Sequence, residues 1–213
     1  MIEMEKYADT LNLETGWLCL DFANTADWHA SDHPEEGLNS YSDLVSWAQQ
    51  VGVLADHQAR QLLQAAAGRP VEAAAVLERA IALREAIYRI FSAVASGQPP
   101  QTADVVILNV GLSEALVQLR VTQTANSFAW EWADDENAFD RMLWPVVRSA
   151  AELLTSKELN RAGQCADDRG CGVLFFDTSR NRSRRWCTMK DCGNRAKAQR
   201  HYKRKRTAGP SSA

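Results

Sequence analysis

Cys165-Ala166-Asp167-Asp168-Arg169-Gly170-Cys171 and, further on, Cys187-Thr188-Met189-Lys190-Asp191-Cys192-Gly193-Asn194-Arg195 decide how the last quarter of this 213-residue chain folds. Two thiol pairs at loop-closing distance, joined by a spacer long enough for a hairpin, form the donor set of a tetrahedral zinc site. One structural Zn²⁺ is the expected cofactor, held by Cys165, Cys171, Cys187 and Cys192. Four thiolates leave such an ion no open position for water or substrate. The fifth cysteine, Cys19, sits in an apolar run and reads as a buried thiol.

The acidic and glycine residues inside the first pair suit a tight turn whose amides point at the sulfurs. Val173–Asp177 reads as a strand, Thr178–Arg182 as a polar turn and Arg184–Trp186 as the returning strand. Cys192 opens a stretch of helix formers, Ala196 to Arg200, and the positive end of that helix favours a thiolate. Knuckle, hairpin and a second ligand pair at a helix start make a treble-clef finger. A unit of this size supports little core, so the metal supplies most of its stability, about 10–16 kcal/mol for a structural zinc.

A net charge of -3 conceals a strong division. Residues 1–160 carry 10 Lys and Arg against 23 Asp and Glu, whereas residues 161–213 carry 14 against 4. The balances are -13 and +10: an acidic body that repels polyanions and a basic appendage that attracts them. The opening Met1–Lys6 lacks the basic and apolar regions of a secretory signal, and no run approaches a membrane span. Clustered thiols without an export signal favour a reducing compartment. A soluble cytoplasmic protein with no membrane partner is expected.

Upstream of the cysteines the fold class is α+β, a helix-rich body with a small antiparallel sheet. Leu44, Val45, Trp47, Ala48 and Val51 have helical spacing behind a Ser40 or Ser42 cap. Asp56–Ala67 is a second helix, ended by Gly68 and Pro70, and Val71–Ser96 is the longest. Residues 101–114 read either as a helix opened by Thr102-Ala103-Asp104 or, at Val105–Leu108, as a strand. Leu116–Val121 and Phe128–Trp132 flank a turn at Thr124–Ser127 and predict a hairpin. Asp134-Asp135-Glu136 starts a last helix reaching about Thr155, with a kink expected at Pro145. Ser156–Gln164 is a polar lead-in to the cysteines. The domain limits expected are 1–160, 161–206 and a disordered tail at 207–213.

Phe175-Phe176-Asp177-Thr178-Ser179-Arg180-Asn181, Arg184-Arg185-Trp186-Cys187-Thr188-Met189 and Cys192-Gly193-Asn194-Arg195-Ala196-Lys197 resemble the CGNR zinc finger of bacterial transcription regulators. Leu18-Cys19-Leu20-Asp21-Phe22-Ala23-Asn24-Thr25 is similar to the opening signature of the ABATE domain that precedes this finger in that family. The resemblance implies an N-terminal domain that binds a ligand and acts in stress-induced regulation. One departure is the first cysteine pair, with five intervening residues where four are expected.

Between Arg180 and Arg206 there are twelve Lys and Arg and one acid, Asp191. A nucleic-acid duplex is the obvious partner. Lys197, Arg200 and Arg204 share a helix face with Lys203 beside them, and Asn194 and Arg195 occupy the first turn, where a groove-binding helix presents residues to bases. Arg182, Arg184 and Arg185 are assigned to phosphate. Trp186 is read as packing on the helix rather than reading a base. The competing role for the basic residues is neutralising the zinc centre or docking a sister chain.

In the body, every helical neighbour of Arg84 is apolar, so its guanidinium is expected to be buried and to need a counter-charge, either Asp21 or a small acidic effector. Asn24 and Thr25 either cap a helix or line the effector cavity. His29 and His33, with Asp27 and Asp32, read as a solvated loop rather than a metal site. No phosphate loop, Gly-x-Ser-x-Gly elbow or His-Glu-x-x-His is present. The expectation is a DNA-binding regulator and not an enzyme, working as a homodimer because one small finger buries little surface. The alternative is an enzyme with a pocket in the body and the finger as an RNA- or protein-docking arm.

Overall fold

The computed structural model describes residues 13–133, 135 and 138–207. Its elements in order are α1 (Leu18–Ala23), β1 (Ala26–Asp27), β2 (Glu35–Glu36), α2 (Tyr41–Gln50), α3 (Asp56–Gly68), α4 (Pro70–Ala95), α5 (Thr102–Leu116), β3 (Leu119–Gln123), β4 (Phe128–Trp132) and α6 (Leu143–Thr155). A 3₁₀ turn (Leu159–Arg161), β5 (Ala162–Gln164), β6 (Leu174–Phe176), a π-turn (Met189–Gly193) and α7 (Asn194–Thr207) complete it. The strands form three antiparallel pairs, β1–β2, β3–β4 and β5–β6. No helix among the described residues is long and apolar enough to cross a membrane.

Local chemistry places most of the helix ends. Ser40 Oγ accepts the Asp43 amide at 3.2 Å and starts α2. Pro70 opens α4, and the residue before a proline is kept out of the helical region, so Arg69 (φ -135°, ψ 57°) turns a corner between α3 and α4. Along α4, Ala73, Val76, Ala80, Leu83, Ile87 and Ile90 form one buried stripe. That stripe meets Phe22, Leu44, Met142, Val146 and Leu153 in a single core, where each large side chain contributes about 1.5–3 kcal/mol.

The β-prone run Val105–Leu108 lies within α5. Buried Asp104 in the first turn takes the Arg89 guanidinium of α4 at 2.6–3.1 Å, and Leu108 and Ala115 face the core, so tertiary contacts override the local preference. The hairpin β3–β4 has the register Leu119↔Trp132 to Gln123↔Phe128, with Leu116 still in the helix. α6 starts only at Leu143, which makes Pro145 its third residue; there the missing N–H has no acceptor inside the helix, so the proline demands no kink. Of the acidic start expected for this helix, Asp134 and Glu136 lie outside the described residues, as does 208–213 of the expected tail.

The C-terminal sheet corrects the sequence reading. Strand β6 pairs with β5, inside the stretch taken for a polar lead-in, and Arg184–Trp186 forms no strand. The buried Asp177 carboxylate accepts the Ser179 amide at 2.8 Å and the Arg184 amide at 2.9 Å, closing the 178–183 turn by side chain rather than by a ladder. The β5–β6 pair belongs to the body as much as to the finger, since Ala162 and Leu174 lie in the main core. Asn24, at the end of α1, clasps Leu174 at both backbone groups: its amide donates to the carbonyl and its oxygen accepts the N–H, each at 2.9 Å. Gln164 donates to Tyr88 Oη at 2.7 Å and Ser92 Oγ at 3.2 Å on α4.

Removing the clasp leaves the Leu174 amide and carbonyl buried without partners. Asn24→Ala is expected to lower the unfolding free energy by about 1–3 kcal/mol in urea titrations, and a change below about 0.5 kcal/mol contradicts the assignment.

Candidate metal centre and its basic collar

Cys165 and Cys171 sit at the tip of the β5–β6 hairpin, Cys187 at the end of the loop that returns from it, and Cys192 in the π-turn leading into α7. The four Sγ atoms lie within 4.8 Å of one another. Cys171–Cys187 and Cys187–Cys192 are 3.7 and 3.6 Å apart. A tetrahedron with Zn–S of about 2.3 Å has edges of about 3.8 Å, so the donors fit one zinc ion. The fifth thiol, Cys19, is pushed up to about 12 by burial and stays protonated. The knuckle turns through Gly170 (φ +88°) and Gly172 (φ +70°), and a Cβ on Gly172 would lie 2.6 Å from Tyr88 Oη and from the Ala30 nitrogen. Glycine is required there because the knuckle is pressed onto the body.

A set of charged and aromatic groups surrounds the sulfurs. Arg195 Nη2 donates to Cys192 Sγ at 2.9 Å and to Asp167 Oδ2 at 2.9 Å, tying α7 to the knuckle. Burial opposes ionisation of Asp167, but the Arg169 amide and the Arg195 guanidinium outweigh it and hold the carboxyl below its ordinary range. Trp28, from the loop between β1 and β2, packs on the cysteine cluster and carries the guanidiniums of Arg169 and Arg195 over its ring at 5.2 and 5.6 Å. Arg184 folds back to the carbonyls of Phe176, Trp186 and Cys187 and covers the Phe175 ring at 4.5 Å.

These contacts divide the basic residues expected to meet nucleic acid. Arg195 and Arg184 are framework side chains whose donors are engaged within the protein. Asn194 donates to the Lys190 carbonyl at 3.0 Å and helps hold the start of α7. Arg182, Arg185, Lys197, Arg200, Lys203 and Arg204 are exposed. From Lys197 to Lys205 every residue of α7 is exposed, so this part of the helix stands out into solvent.

In the body, Arg84 is 3% exposed, as expected, but its partners are not. Glu36 takes it in a two-point contact at 2.5 and 2.7 Å, and Glu85 accepts from it at 2.9 and 3.1 Å. Asp21 instead accepts the Glu14 and Thr15 amides, and Asn24 is the clasp on Leu174. The structure therefore does not bring Asp21, Asn24 and Arg84 together. The solvated-loop reading also fails at His29. Its side chain is 8% exposed, stacks on Tyr88 at 3.5 Å and contacts Glu85 at 2.9 Å, while Asp27, Asp32 and His33 are exposed. Tyr88 donates to the Gly172 carbonyl at 3.2 Å, which links this cluster to the knuckle. The sequence gives no role to Trp28, takes Tyr88 only as an apolar neighbour of Arg84, and shows Asp177 only as one residue of the Phe175–Asn181 run.

Three results are expected. Zinc analysis of reduced protein returns one ion per chain, and Asp167→Asn weakens zinc retention against a chelator by about tenfold or more; unchanged retention contradicts the role of the Arg195–Asp167 latch. Glu85 is pulled down to about 2, its burial outweighed by His29 and Arg84. Its stabilising effect is therefore present above the ordinary glutamate pKa and lost as pH falls towards 2. The stability difference between wild type and Glu85→Gln should shrink on acidification from pH 6 to pH 3, and a constant or widening difference contradicts this sign.

Residues 16–157 match the family model ABATE, described as "Putative stress-induced transcription regulator", and residues 161–205 match the CGNR zinc finger. No curated protein sequence matches the chain. The helix-rich N-terminal body and the four convergent cysteines fall within those two matches in turn, and the chain belongs to the ABATE family, with a C-terminal CGNR zinc finger that holds one structural zinc ion.

Proposed function

We propose that the chain is a zinc-dependent DNA-binding transcription regulator, in which the finger contacts DNA and the helical body receives a signal. The observation that carries this reading is α7. From Lys197 to Lys205 every residue of the helix is exposed; it carries Lys197, Arg200, Lys203, Arg204 and Lys205, and turns one side to the knuckle and Trp186 through Gln199 and Arg200. A helix so rich in cations gains little from apolar packing, and like charges on its surface repel. A polyanion lying along it relieves that repulsion and releases counterions. Arg182 and Arg185 extend the same basic surface, whereas Arg184 and Arg195 serve it indirectly by fixing its shape. Four thiolates close the zinc to substrate, which favours a binding protein over an enzyme.

For the body we propose signal reception through the elements that hold β5–β6. The pair is anchored to α1 by Asn24 and to α4 by Gln164, so a displacement of either helix moves the knuckle. An anionic effector at Arg84 has to displace Glu36 or Glu85. A groove of about 330 Å³ between β4 and α6, lined by Trp130, Trp132, Trp144 and Arg141, is the better place for a planar effector. Pairing of two chains is supported by the β3–β4 hairpin, where Val121, Phe128 and Trp130 stay exposed on the face that deeper in buries Trp132 against Trp144.

DNA titrations at several salt concentrations test the reading. Affinity should fall steeply with salt, and Lys197→Ala and Arg200→Ala should each lower the salt slope by about 1 while leaving zinc content unchanged. Arg195→Ala should lose zinc retention together with DNA affinity. Affinity indifferent to salt and to both lysine and arginine removal overturns the assignment.

A further inference from the structure

Between the knuckle and α7 the finger contains an open cleft of about 640 Å³. Its wall is the ring of Trp186, which packs against the cysteine cluster on one side and immediately precedes the ligand Cys187. The indole is half-buried against the cysteine cluster rather than enclosed in the core. Two guanidiniums stand over it, Arg185 at 5.5 Å and Arg200 at 5.8 Å from the ring centre. Tyr202 and Lys203 line the same cleft, and Tyr202 is 67% exposed. At the edge, the Gln199 amide donates to Asp168 at 2.8 Å.

A duplex bound through its phosphates has no use for such a cavity. Phosphate contacts need exposed cations, which α7 already offers along its length. A recessed aromatic plate ringed by arginines matches a different need. A nucleobase released from its stack exposes two π-faces, which an indole covers on one side and a guanidinium on the other, while flanking phosphates meet the remaining cations. The cleft is also within the size range of pockets that enclose small planar ligands.

We infer that this cleft takes an unpaired base of the DNA strand bound along α7, stacked on Trp186, with the phosphates on either side held by Arg185, Arg200 and Lys203. The inference rests on the DNA-binding reading above and deepens it. The finger then prefers DNA containing an unpaired or extruded nucleotide to a fully paired duplex. The Trp186 plate supplies that preference, while the outer face of α7, around Lys197 and Arg204, supplies sequence-independent affinity.

The test uses the zinc-loaded full chain and two DNA duplexes of equal length, one fully paired and one with a single unpaired 2-aminopurine. The expected result is binding to the second on the order of tenfold tighter, with 2-aminopurine fluorescence quenched on binding. Trp186→Phe keeps an aromatic plate and should retain most of the preference and the quench. Trp186→Ala, checked for a full zinc complement, should bind both duplexes with the affinity that wild type shows for the paired one. Equal affinity of wild type for the two duplexes, or quenching that persists in Trp186→Ala, overturns the inference while leaving the DNA-binding reading in place. No binding to either duplex at low salt removes both. Because the wild-type preference and quench are read without any substitution, the result does not depend on the alanine variant folding.

Discussion

Four sulfur atoms within 4.8 Å of one another cannot all carry charge unless a cation lies among them, and the C-terminal quarter of the chain is built around that constraint. With zinc the centre is dianionic. Arg195 answers part of that charge by donating to Cys192 Sγ, and the same guanidinium holds Asp167, so that neutralising the metal site and fixing the direction of α7 are one interaction. The indoles of Trp28 and Trp186 pack against the cluster, which shields the sulfurs from water without adding charge. Arg184 and Arg195 are thereby committed to the framework, while Arg182, Arg185, Lys197 and Arg200 are exposed.

The finger is not a separate bead on a linker. Leu174 lies in the body's core, Gly172 meets Tyr88 and Ala30, and the β1–β2 loop sends Trp28 to the cysteines and His29 to Tyr88. The Glu36–Arg84–Glu85–His29 cluster therefore stands one side chain, Tyr88, away from the carbonyl next to a zinc ligand. The Tyr88 ring, stacked on His29 and donating to the Gly172 carbonyl, is the group that spans the two.

The metal ligands were legible in the sequence because cysteine is rare and the pair spacings are restrictive. The helices α2, α3 and α4 were legible through Ser40, Gly68, Pro70 and their apolar stripes. The β5 strand was not, since Ala162-Gly163-Gln164 has no strand character of its own and becomes a strand by docking Gln164 onto α4. Val105–Leu108 was ambiguous for the opposite reason: its helix is fixed by the Asp104–Arg89 pair and by the core. The burial of Arg84 followed from its helical neighbours. Its partner Glu36 stands 48 residues earlier, across a long-range contact that periodicity cannot reveal. For the same reason, the spacing of the basic residues did not separate Arg184 and Arg195, whose guanidiniums are bound by groups of the finger, from Arg182 and Lys197, which are exposed.

Backbone amide exchange, followed in zinc-loaded protein and after chelation under reducing conditions, tests the central claim most directly. Zinc removal is predicted to abolish protection at the knuckle, residues 165–172, and from Cys187 through the first turns of α7, while α4 and α6 keep theirs. Protection of the knuckle and α7 that survives the loss of zinc, or loss that spreads evenly through the body, contradicts a finger organised by its metal and anchored on an independently stable core.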